Sequence, residues 1–172
     1  MTEATRPPLR KIALGDLETE IATTRRVLER IPEEHLDWKP HAKSMSLGEL
    51  ATHIATIPSY GTAVVQGQDF DVAAPLPPNP LATTRDEVLR RFDEMVAAFR
   101  PLLEDADDVS LREPWSLRNG EHVVFTLPRI GVLRGLVVSH MVHHRGQLSV
   151  YLRLLDVPVP SIYGPSADEP WS

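Results

Sequence analysis

Three histidines stand within five positions of the stretch "SHMVHHRGQL": His140, His143 and His144, in a chain that has only seven. They lie inside "VLRGLVVSHMVHHRGQLSVYLRLL", one of the most apolar runs of the sequence. An imidazole buried without a partner costs free energy. The cluster therefore calls for a bound ion, a proton-transfer role, or hydrogen bonds made within a core. Helical winding of ~100° per residue sorts the three. With His140 at zero, His144 falls at ~40° and Tyr151 at ~20°, while His143 falls ~60° to the other side. Leu133, Leu136, Val137, Gln147, Leu148, Leu154 and Leu155 share the side of His140 and His144. Gly131, Arg145, Ser149 and Arg153 fall opposite, on a face expected to meet solvent. His140 and His144 thus stack one turn apart in the middle of an apolar stripe, the spacing at which two imidazoles can share one ion.

A third ligand is available in "LGELATHIATIPSY", where His53 is surrounded by apolar residues and shares its side with Leu50, Ile57, Tyr60 and Val64. Packed helices bring such core-facing positions together. His53 facing the His140/His144 pair makes a three-histidine site with coordination positions left for water or substrate, the pattern of catalytic rather than closed structural sites. Two other metal patterns fail. Met141 stands where a zincin places its glutamate base. A carboxylate di-iron site needs Glu-x-x-His on two helices, and no acidic residue occurs between Pro128 and Leu155. What remains is a mononuclear, nitrogen-rich site. The competing reading is that each histidine bonds a carbonyl or carboxylate in the core.

The elements that must position these residues follow from periodicity and punctuation. Apolar residues at helical spacing predict a first helix from about Pro8 to Ile31, stopped at Pro32. Ser46 and Glu49 form an S-x-x-E capping box that opens a second helix reaching about Gln66, with a kink expected at Pro58. "GQDFDVAAPLPPNPLATT" reads as a proline-dense loop. A third helix runs from about Thr84 to Leu103, and a fourth from Pro128 to about Leu155. The polar connection between those two has room for a short hairpin, and the proline-rich tail reads as ordered coil. The expected fold is all-α: a single four-helix bundle domain over residues 1–172, its long connections free to cross the bundle.

Composition narrows the function. A formal charge of −6 without a Lys/Arg cluster argues against nucleic acid as a partner. No apolar run approaches the ~18 residues that would suggest a membrane span. The start "MTEATRPPLRKIALGD" lacks a signal-peptide core, so the expected location is cytoplasmic. The chain has no cysteine, which excludes a thiolate nucleophile and any Cys-ligated metal.

"HMVHHRGQLSVYLRLLDVPVPSIYGPSADE" resembles the C-terminal signature of the DinB/YfiT-like family, and "IPEEHLDWKPHAKSMSLGELATHIATIP" is similar to its first-loop and second-helix region. The likeness spans most of the chain and is weaker over residues 68–125. It implies a four-helix bundle with a long crossover, commonly dimeric, holding a divalent metal on three histidines. By position these are His53, His140 and His144, the residues the helical wheel also brings forward. Activities in the family vary: some relatives are S-transferases or isomerases that use low-molecular-weight thiols, and others are described as metal-dependent hydrolases.

On this reading the protein is a divalent-metal-dependent enzyme acting on a small molecule, by thiol-dependent S-transfer or by hydrolysis. The alternative is a non-catalytic metal- or ligand-binding bundle, a sensor or scavenger. Imidazole ligands suit Zn, Ni, Fe and Cu alike; ligand type and the resemblance favour Zn or Ni, with Fe or Mn as further options. Without cysteine, any thiol must arrive as a cosubstrate. Gln147, Tyr151 and Tyr60 share the faces of the histidines and are candidate catalytic groups, although each fits a core or supporting role better. Asp168, in "YGPSADE", is a conceivable base if that segment folds over the site. Trp38, Trp115 and Trp171 read as packing anchors. Gly135, Val138, Val142 and Gly146 form a small-residue stripe away from the histidines. Interior helical glycine costs about 1 kcal/mol, so the stripe suggests a helix pairing with a second subunit, and a homodimer is expected.

Overall fold

The computed structural model describes residues 8–75 and 78–170. Four long helical stretches supply its core: α1 (Leu9–Leu28), α2 (Leu47–Val65), α3 (Arg85–Asp105), and a composite fourth made of α5 (Arg129–Val132), a π-helical segment (Leu133–Ser139) and α6 (His140–Leu154). A short α4 (Asp108–Arg112) precedes the strands β2 (Pro114–Asn119) and β3 (His122–Pro128), and β1 (Phe70–Asp71) follows α2. α1 and α2 each pack against both α3 and α6.

The helix starts are set by side chains the sequence displays. Ser46 Oγ accepts from the Glu49 N–H at 3.1 Å, and the Glu49 carboxylate accepts from the Ser46 N–H at 2.6 Å. Thr84 Oγ1 accepts from the Glu87 N–H at 3.1 Å and caps α3. α2 runs through Pro58 as one helix. Leu50, Ala51, Ile54, Ala55, Ile57 and Val64 on α2 are almost wholly buried, so packing outweighs the backbone bond that proline removes. At Gly61 a Cβ would lie 2.5 Å from the Phe99 ring, so only glycine lets α2 and α3 approach this closely.

The chain is mostly helical rather than all-α: a three-stranded sheet is present, with its β2–β3 hairpin in the polar connection that had room for one. β2 pairs antiparallel with β3, and β1 adds in parallel to β2 through Phe70–Leu117 and Asp71–Arg118. The hairpin turn is Gly120–Glu121, with Gly120 at φ +61°, the first-position glycine that a two-residue II′ turn favours. Trp115 anchors the hairpin: its ring is buried and its Nε1–H donates to the Gln68 carbonyl at 2.7 Å. β1 is only two residues long and sits in the loop read as structureless, so no alternation could reveal it. Trp38 packs edge-on against Tyr151, whereas Trp171 lies outside the described residues. No helix among the described residues is long and apolar enough to cross a membrane.

The polar face of the fourth helix differs from expectation at one position. Ser149 is half-buried and Gly131 and Arg153 are exposed, but Arg145 is 1% exposed. α1 and the tail pack over it. Its guanidinium lies 2.6 Å from the Glu20 carboxylate and donates to the Tyr163 hydroxyl at 2.7 Å. Tyr163 in turn donates to Glu20 at 2.8 Å, and Thr24 Oγ1 accepts from Arg145 at 3.3 Å. A wheel assigns a face to solvent from its own residues; it cannot see what another element lays on that face.

Candidate metal centre

α2 carries His53 two turns beyond its cap, and α6 opens on His140 with His144 one turn later. The three half-buried rings converge, each offering one nitrogen, with all three nitrogens within 4.8 Å of one another. His53 Nε2 and His140 Nε2 are 3.1 Å apart. Ring centroids are separated by 4.9 Å (His53–His140), 4.5 Å (His53–His144) and 4.7 Å (His140–His144). Nitrogens bound at ~2.0–2.1 Å to one tetrahedral ion stand ~3.4 Å apart, so small ring rotations suffice to close the triangle. His143 is exposed and sits edge-on to His144 at 4.8 Å, at the rim rather than among the converging nitrogens.

Protonation favours a cation. Burial, together with the charges His144 and His140 would carry, pushes the His53 pKa down to about 4. Burial first, then the neighbouring histidines, also lowers His140; burial and His143 lower His144. All three rings are therefore neutral at pH 7, the form in which imidazole binds metal. Among the described residues no carboxylate belongs to the cluster, so the donor set found there is nitrogen only.

The remaining candidates separate into neighbours of the site and residues engaged elsewhere. Gln147 Oε1 lies 2.7 Å from His144 Nδ1. Tyr60 stacks on His140 with planes 7° apart and centroids at 6.1 Å, and Phe70 of β1 lies edge-on behind it. Burial raises the Tyr60 pKa, so its hydroxyl stays protonated. Tyr151, by contrast, donates to the Met45 carbonyl at 3.2 Å and braces the loop before α2. Asp168 is held by Arg153 and accepts from the Val159 N–H at 2.8 Å. Its partner Arg153 projects from the face opposite the histidines, and Asp168 pins the tail there. The feature sequence reasoning missed is the π-helical segment ending at Ser139, directly before His140. Gly131 and Gly135, four residues apart where an ordinary helix would avoid them, were its only local hint.

The DinB family model matches residues 16–171. The chain belongs to the DinB family. Among curated proteins it is similar to the uncharacterized protein YrdA of Bacillus subtilis, 27% identical over 157 residues, covering 91% of this chain and 89% of that one. A crystal structure of a DinB-like protein from Bacillus cereus superimposes with a TM-score of 0.72 at 20% identity, covering 88% of this chain and 95% of the other. The DinB-like protein YjoA of Bacillus subtilis gives 0.64 at 20% identity, covering 85% and 95%. At these identities the structural matches speak to fold alone.

Proposed function

We propose that this DinB-family protein binds one divalent metal ion through His53, His140 and His144 and acts with it on a small molecule. One observation carries the reading: three imidazoles from two helices converge to within 4.8 Å, with no carboxylate in the cluster among the described residues. Zinc or nickel suits that donor set. A bound ion would supply Lewis acidity at the open positions, lowering the pKa of a water or thiol that reaches it. The chain itself holds the rings neutral, stacks Tyr60 on His140 and leaves His143 at the rim. With no cysteine of its own, the protein would take any thiol as a cosubstrate, so S-transfer and hydrolysis are the two reactions to assay.

A second reading, a non-catalytic metal-binding sensor or scavenger, has one observation in its favour. Two concavities among the described residues, one lined by Leu17 and Val137 and one by Leu36 and Gly48, have no histidine in their walls. Substrate turnover separates the two readings. The deciding experiment for metal is elemental analysis and zinc or nickel titration of untagged protein. The parent is expected to take up one ion per chain, and His140→Ala and His144→Ala to take up none. Equal metal in parent and variants overturns the reading; with metal uptake by the parent alone, a screen of small thiols and electrophiles separates transferase from hydrolase.

The mutual packing of α1, α2, α3 and α6 supports a four-helix bundle as the frame of this site. The small-residue stripe of the fourth helix, away from the histidines, also supports a homodimer. Val138 is buried, but Gly135 and Gly146 have open space beside them. Sedimentation equilibrium is expected to give a two-chain mass; a monomer at high concentration sinks the dimer.

A further inference from the structure

The fourth helix changes its hydrogen bonding where it reaches the candidate metal centre. In an α-helix the His140 N–H would bond the Leu136 carbonyl, four residues back. Here the π-helical segment intervenes, and the His140 N–H bonds the Gly135 and Val137 carbonyls instead. The Leu136 carbonyl lies 3.3 Å from the ring Nδ1 of His140 itself. A carbonyl only accepts, so that nitrogen carries the proton and the Nε2 lone pair faces His53. One turn on, the arrangement recurs with a side chain: Gln147 Oε1 lies 2.7 Å from His144 Nδ1. Both α6 histidines thus meet an oxygen on the same helix, one four residues before and the other three residues after. π-helical turns inside α-helices are often found at functional sites, and an acceptor on the far nitrogen of a ligating histidine fixes its tautomer and ring orientation.

We propose that Gln147 is a positioning residue that holds His144 in its Nδ1–H tautomer, as the Leu136 carbonyl holds His140, so that both Nε2 atoms face His53. The affinity arm of the test rests on the metal-binding reading above; the tautomer arm is read on metal-free protein, so the two fail separately. Gln147 is exposed, and its replacement leaves the core intact. Gln147→Leu removes the acceptor, whereas Gln147→Glu keeps one and strengthens it.

Nitrogen-15 spectra of the metal-free parent, taken where histidine is neutral, should show His140 and His144 as Nδ1–H. In Gln147→Leu the His144 signal should move toward a mixture of tautomers while His140 stays put. Zinc titration should show Gln147→Leu binding about 10–100-fold more weakly, and Gln147→Glu at least as tightly as the parent. An Nε2–H tautomer at His144 in the parent overturns the proposal. So does a Gln147→Leu protein whose tautomer and zinc affinity match the parent's, or a Gln147→Glu protein as weak as Gln147→Leu. If the parent takes up no zinc, the metal reading falls and the tautomer spectra alone decide the role of Gln147.

Discussion

His144 and Arg145 are consecutive residues of α6, and they divide its polar chemistry between two regions built on opposite principles. Behind Arg145, the charge is answered: Glu20 neutralises it, Tyr163 bridges the pair, and Thr24 takes a further donor. Behind His144, one nitrogen is answered by Gln147 and the other points at two more imidazoles that offer the same kind of atom. Buried polar groups are ordinarily satisfied, so the first region is what stability requires. The second gathers three weak bases with no acid to share. Such an arrangement gains little for the fold and waits for a cation to complete it.

The largest effect should come from breaking the satisfied side. Arg145→Ala leaves Glu20 with little solvent and no countercharge, a loss of about 3–5 kcal/mol. A urea melt should show a lower midpoint with unchanged slope. Replacing both partners at once, Arg145→Met with Glu20→Leu, should recover most of that loss, because a matched apolar pair removes both charges. A single substitution costing less than ~1 kcal/mol, the range of a surface ion pair, would mean the comparison misjudges this region.

The histidine side should respond in the opposite sense. Without metal, His144→Ala should cost no more than about 1 kcal/mol, the centre of the range for single substitutions. Among the described residues the half-buried ring has only Gln147 as a side-chain hydrogen-bond partner. With zinc at ~100 times its dissociation constant, the parent should gain about 2.7 kcal/mol and the variant nothing. A variant that melts far below the metal-free parent would make the histidines a structural cluster after all.

These regions were not equally legible in the sequence. The capping box at Ser46 and the i, i+4 histidine pair are local patterns, legible from neighbouring residues alone. His53 was reachable because an apolar-flanked histidine on one helix needs a partner on another. Arg145 was misread because its partners come from α1 and the tail, more than 120 residues before it and 18 after it. β1 was missed because two residues carry no period, and its pairing depends on a strand 47 residues away. The π-helical segment escaped because a wheel assumes one pitch throughout. The i, i+4 relation of His140 and His144 survived that error because both residues lie in α6, beyond the change of pitch.

Acid sharpens the contrast more gently. The His53 pKa falls from its ordinary 6.5 to about 4 on folding, and those of His140 and His144 fall too. Between those values the unfolded chain binds more protons than the folded one, so stability declines as pH drops through this window. The melting temperature of metal-free protein should therefore fall steadily from pH 6.5 toward 4, and His53→Ala should flatten that slope. Indistinguishable profiles for parent and variant would show that the rings titrate as if unfolded. Zinc affinity should fall over the same range, because protons and metal compete for one lone pair.

The smallest effect concerns the tail, where Asp168 was the candidate base. Asp168 accepts from the Val159 N–H and pairs with Arg153, and these contacts, chiefly Arg153, hold its pKa below the usual carboxylate range. A carboxylate so engaged is a poor base, and its partner leaves α6 on the side away from the histidines. Asp168→Asn keeps an oxygen for the Val159 N–H and loses only an exposed ion pair, which salt already screens. Its melting temperature should match the parent's within the scatter of repeat melts, and its zinc affinity should be unchanged. Once a substrate is known, turnover should be unchanged as well. Turnover abolished in a stable, zinc-loaded Asp168→Asn protein would return the tail to the active site and blur the division that His144 and Arg145 draw.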